Sequence, residues 1–123
     1  MKKDDTVFLR HVLDAIGQVR SYVGGLDCEA FFENRLVQDA VIRQLEVIGE
    51  ASRNLSEEFR AGQPDVPWGD IVGMRNRLTH AYFDVDLGVV WEVVEQDLPV
   101  LEDRLRALLG PGTSPGKSAG TSD

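Results

Sequence analysis

The chain has 123 residues, 42% of them hydrophobic and 28% charged, with a formal net charge of −8. That composition suits one globular domain with one core, and no apolar run nears the roughly 20 residues that a bilayer span needs. The acidic balance argues against a broad nucleic-acid-binding face, leaves room for a small local basic site, and suits a basic protein partner.

The opening "MKKDDTVFLRHV" follows its lysines with acids and does not read as a secretory signal. Its acids instead suit the N-terminus of a first helix, "DDTVFLRHVLDAIGQVRSYV". Phe8, Val12, Ala15, Val19 and Val23 recur there at helical spacing, with His11 beside the stripe as a structural residue. Gly24 and Gly25 end the helix. Asp27 begins a short helical turn that holds Cys28. Cys28 is the sole cysteine, so no intrachain disulfide forms, and the expected compartment is reducing and cytoplasmic.

"RLVQDAVIRQLEVIGEASRNLSEEFR" reads as one long helix. Val37, Val41, Leu45, Ile48, Ser52, Leu55 and Phe59 form its stripe, and Gly49 permits close helix packing. "AGQPDVP" breaks the chain, and Pro67 suits the start of a helix from about Trp68 to about Tyr82. Asp86 is an N-cap for the last helix, which runs to about Leu109. Leu87, Val94, Leu98, Leu101, Leu105 and Leu108 face inward along it, and Pro99 should kink or split it. The expected fold is all-α: an antiparallel bundle of four main helices plus one short helix over residues 1–109. The tail "GPGTSPGKSAGTSD" (110–123) is too poor in apolar residues to offset its ordering entropy and reads as disordered.

The chemistry concentrates in "MRNRLTHAYF". On a wheel at about 100° per residue, Trp68, Ile71, Val72, Met74, Leu78 and Tyr82 share an apolar face with Arg75 in its middle. A guanidinium there keeps its proton and needs an anion, either Glu46 or Glu50 or a bound phosphate. Gly69, Gly73, Asn76 and His80 fall on a narrower stripe. Its two glycines suggest close approach of another helix, another subunit or a ligand backbone. Arg75 and His80 sit about 140° apart on a straight helix. They can meet on one ligand through arginine's reach, through a helix that ends near Thr79, or across a dimer.

Arg75, Asn76, His80 and Tyr82 in "RNRLTHAY" fit the pattern of an arginine and a polar residue, a histidine five places after the arginine, and a tyrosine two beyond it. With "IGEA", "PW" and "DLP" in order around them, residues 5–109 resemble the HEPN-domain ribonucleases, specifically the HepT-like toxins. The resemblance implies a helical bundle that dimerises and joins two Arg–His motifs in one cleft. It implies metal-independent RNA cleavage with no cofactor. It also implies a nucleotidyltransferase antitoxin partner of the minimal (MNT) type, which in some members adds AMP to the motif tyrosine, here Tyr82.

The residue types suit that chemistry. Histidine near its ordinary pKa can take the 2′-OH proton and return one to the leaving oxygen. Arginine offers forked, charged donors to the phosphorane-like transition state. One motif supplies one histidine, so a dimer that pools two supplies a base and an acid. Arg75 and His80 are thus the candidate catalytic pair. Asn76 can orient His80 or hold a phosphate oxygen, Arg77 can guide RNA or contact the antitoxin, and Tyr82 can stack a base. Two histidines, one cysteine and no close carboxylate triad give no metal-ligand spacing.

Each residue also has a structural reading: an internal ion pair for Arg75, a helix C-terminal position for His80, a core position for Tyr82. The alternative function is a non-catalytic helical module that docks the transferase and accepts AMP.

Overall fold

A computed structural model describes residues 3–81 and 84–110, with the side chains of all but Lys3, Arg75, Arg77, Thr79, His80, Ala81 and Asp84. The fold is all-α. Helix α1 spans Lys3–Val23, α2 Cys28–Phe32 and α3 Arg35–Arg53. Helix α4 spans Glu57–Ala61, α5 Trp68–Val72 and α6 Met74–Leu78. A minimal hairpin follows, β1 at Thr79–Ala81 and β2 at Asp84–Val85. Helix α7 (Leu87–Glu92) leads through a π turn at Val93–Asp97 into α8, Leu98–Leu109. None of the described helices is long and apolar enough to cross a membrane.

The α1–α3 pair is the spine of the bundle. Val12, Ala15 and Val19 are buried on α1, as their spacing predicts, while Phe8 and Val23 of the expected stripe are half-buried and Leu9, Leu13 and Ile16 complete the buried side. Val41, Leu45 and Ile48 answer them from α3, and Val90, Val93, Leu98, Leu101 and Leu105 close the core from the C-terminal run. Phe31 of α2 is fully buried, with its ring 5.0 Å from that of Trp91. The expected caps are present. Asp27 accepts from the Ala30 N–H at 2.8 Å, and Gly25 takes the left-handed conformation (φ 82°) after α1.

The long second helix does not run through to Arg60. It stops at Arg53, and α4 begins after Ser56. Ser56 caps α4 through its Oγ, which accepts from the Phe59 N–H at 3.1 Å. A tertiary contact holds the break as well. Asp5 of α1, only 2% exposed, accepts from the Ser56 N–H at 2.7 Å and from its Oγ–H at 2.8 Å. A buried carboxylate needs such donors, and here they come from the turn between two helices. Ser52, Leu55 and Phe59 remain buried, so the stripe is right although the helix is interrupted.

Pro99 has the expected effect in an unexpected form. It has no N–H to give to the carbonyl of residue 95. The chain widens ahead of it, and the Leu98 N–H donates to Val93 O, five residues back. The run thus splits in register between α7 and α8 without a loop. On α8 a second buried acid, Glu102, accepts from Nε and Nη2 of Arg106 at 3.1 and 2.9 Å and also from Arg20 of α1. This ties the last helix to the first. Arg104 adds a 2.6 Å bond to Asp65 in the α4–α5 connection. Helix α8 ends at Leu109, with Gly110 at φ 86°. The tail expected to be disordered lies, from 111 to 123, outside the described residues.

Candidate functional site

The motif segment is not the single helix that the wheel assumed. Helix α5 ends at Val72, Gly73 forms a turn, and α6 covers only Met74–Leu78. The phase that put Arg75 in the middle of one apolar face over 68–82 therefore does not carry across Gly73. Ile71, Met74 and Leu78 are buried as expected. Ile71 and Met74 meet α3 at Gly49, where an added Cβ would lie 2.9 Å from Ile71 O and 3.3 Å from Met74 Cβ. Gly49 is thus the close-packing residue that its position in "IGEA" suggests. At Gly69 and Gly73 no other described helix comes this close. A Cβ at Gly69 meets nothing within 4 Å, and one at Gly73 meets only Gly69 O, at 3.1 Å.

Beyond Leu78 the backbone turns into the hairpin. Thr79 pairs with Val85 and Ala81 with Asp84, antiparallel and with an irregularity between the two pairs. The Asp86 N–H donates to Leu78 O at 2.7 Å and closes the loop at its base. Asp86 then caps α7, its Oδ1 accepting from the Val89 N–H at 3.2 Å, as predicted. The helix predicted to reach Tyr82 thus ends four residues early.

This resolves part of the open geometry. Arg75 and Asn76 lie on α6, and His80 lies on β1. Asn76 and His80 are therefore not an i, i+4 pair on one helix face. Of the three ways for Arg75 and His80 to meet, the one that needs a helix ending near Thr79 has its backbone in place. Asn76 is exposed. The side chains of Arg75, Arg77 and His80, and Tyr82 as a whole, lie outside the described residues, as does any Arg75 pairing with Glu46 or Glu50. Glu50 itself sits 3.8 Å from Arg53, an exposed pair of the weak kind.

A family model described as ribonuclease HepT-like matches residues 12–108, a span that holds the second half of α1, all of α3, the motif segment and nearly all of α8. The chain belongs to the HepT-like family. It is 37% identical over 108 residues to a Thermococcus cleftensis protein named as a probable ribonuclease HepT, covering 88% of this chain and 98% of that one. It is 40% identical over 101 residues to a candidate RNase of Methanocaldococcus jannaschii, covering 82% and 93%. A second protein of that organism, named as a gamma-glutamylcyclotransferase and candidate RNase, is 40% identical over 109 residues. Those residues are 89% of this chain and 49% of that one, so the HepT-like chain spans about half the length of this relative. No solved structure matches the chain.

Two features of this HepT-like chain were not foreseen from sequence. Of the acids that join elements, Asp5 reads as a helix-start residue and Glu102 carries no signal of its own, because their partners Ser56 and Arg20 lie 51 and 82 positions away. His11 is exposed and lines a cleft between α1 and α3, although its place beside a core stripe suggested a structural role.

Proposed function

We propose that this HepT-like protein is a metal-independent RNA endonuclease and the toxin of a type II toxin–antitoxin pair. It works as a homodimer in the cytoplasm. Arg75 binds the scissile phosphate, and His80 carries the proton transfers of 2′-OH transesterification. Asn76, Arg77 and Tyr82 hold the RNA, and Tyr82 is the residue to which an MNT-type nucleotidyltransferase antitoxin adds AMP.

The observation that carries this reading is the place of the motif. In a chain of the HepT-like family, Arg75 stands on a short helix and His80 on the strand that leaves it, inside the loop that the Leu78–Asp86 bond closes at the end of that helix. Residues held near a closed helix end are positioned at little further cost in entropy. The names of the similar proteins point the same way.

The test is cleavage of RNA by purified protein in EDTA. Activity should persist without divalent metal and vanish in Arg75→Ala and His80→Ala variants whose circular dichroism is unchanged. Variants as active as the wild type would end the proposal.

The net charge of −8 favours a second reading, a helical module that docks the transferase without cutting RNA. Wild-type protein free of AMP that leaves RNA intact, yet gains mass in AMP units on Tyr82 when co-expressed with the transferase, would select it.

A further inference from the structure

A cleft of about 420 Å³ lies between α1 and α3, beside the start of the motif segment. Val72, three residues before Arg75, forms one edge of it. The volume falls within the roughly 300–1,000 Å³ of small-ligand sites. Three chemistries meet there. Phe8 and His11, three apart on α1, set their rings edge to face with centroids 6.0 Å apart, and His11 is exposed. Arg43 of α3 is exposed and pairs with no described carboxylate. Glu46, one turn further along α3, is half-buried on the same cleft.

We propose that this cleft binds one nucleotide of single-stranded RNA next to the link cut at the motif, a proposal that rests on the ribonuclease reading above. His11 offers a ring on which a base stacks, with Phe8 holding it upright. Arg43 offers a cation to the phosphate. Glu46 offers an acceptor to an exocyclic amine of the base. A bare phosphate suits the cleft poorly, because Glu46 and Glu50 would repel it. A nucleotide meets both signs of charge and the ring.

The experiment measures binding apart from cleavage. A fluorescent single-stranded RNA 12-mer with 2′-O-methyl groups lacks the internal nucleophile, so the full-length protein binds it without cutting it. Fluorescence anisotropy then gives Kd for the wild type, His11→Ala, Arg43→Ala and the control Arg35→Ala. Arg35 is exposed on the same helix, 3.7 Å from Asp39 and outside the cleft. His11→Ala and Arg43→Ala should each weaken binding by about fivefold or more. Arg43→Ala should also lower the slope of log affinity against log salt by about one. Arg35→Ala should bind like the wild type.

Equal binding by all four proteins would overturn the proposal. So would an equal loss in Arg35→Ala, which would mean diffuse electrostatics, or wild-type protein that binds no RNA. Variants that lose only the co-expressed partner protein and keep RNA binding would also overturn it. The ribonuclease reading fails separately, when wild-type protein leaves unmodified RNA intact.

Discussion

The Asp86 N–H and the Leu78 carbonyl, 2.7 Å apart, close the motif segment at its base. In a continuing helix that carbonyl would take the N–H four residues on. Here it takes the one eight residues on, and α6 ends. The Asp86 carboxylate also starts α7, so loop closure and the next helix depend on one residue. Asp86→Ala removes the cap at a cost of about 1 kcal/mol. In a domain of this size Tm should fall by about 3–5 °C. Asp86→Asn should restore the part that the cap contributes, because asparagine caps as well as aspartate. Thermal melts followed by circular dichroism check this, and an alanine variant that melts with the wild type would remove the cap from the account.

Gly49 and Gly69 should respond in opposite directions to the same substitution. A Cβ at Gly49 lies 2.9 Å from a backbone carbonyl of α5, which cannot swing aside as a side-chain tip can. Gly49→Ala should push α5–α6 off α3 and destabilise by about 1–3 kcal/mol. It should also lower RNA cleavage, since α6 carries Arg75. Gly69→Ala adds its methyl to open space within a helix and should stabilise by about 0.4–1 kcal/mol. Urea unfolding of both variants tests the contrast, and a shift of the same sign in each would contradict it.

The buried Asp5 should be the costliest polar residue to remove from α1. Asp5→Ala leaves the Ser56 N–H, in the turn between α3 and α4, without its acceptor. A lost bond to a charged group costs about 1.5–3 kcal/mol. Ser56→Ala keeps the backbone bond and loses the hydroxyl bond and the α4 cap, at about 1 kcal/mol. The two changes share a bond, so the double variant should lose less than their sum. Additive losses in the four-protein cycle would show that the contact is not a coupled unit.

The same pair shows where sequence reasoning reaches its limit. Burial periodicity found Val41, Leu45, Ile48, Ser52, Leu55 and Phe59, because apolar spacing follows the path of a helix even across a short turn. It missed the turn, because the apolar stripe runs on across it and outweighed the local Ser56 cap, while the Asp5 bond that holds the turn comes from 51 positions earlier. Local capping chemistry was legible at Asp27 and Asp86, where donor and acceptor lie three residues apart. In the motif, the residue types and their order were legible, and the family followed from them. The wheel was not, because Gly73 and the Leu78–Asp86 bond end two helices within what looked like one. A phase argument needs an unbroken helix, and its polar stripe did not outlast the break.

The proposed dimer makes a prediction that a one-subunit site does not. Arg75→Ala protein keeps His80, and His80→Ala protein keeps Arg75. Co-expressed from differently tagged genes and isolated through both tags, the two form a mixed dimer. If the two motifs share one cleft, that dimer still holds one arginine and one histidine facing the same RNA, although neither parent dimer is active. Cleavage should return in part, below the wild type because one base or acid and one cation are missing. A mixed dimer as inactive as its parents would place each Arg75–His80 pair within a single subunit. The residues would then act through the α6–β1 junction alone, and the case for a cleft built by two chains would lose its chemical basis.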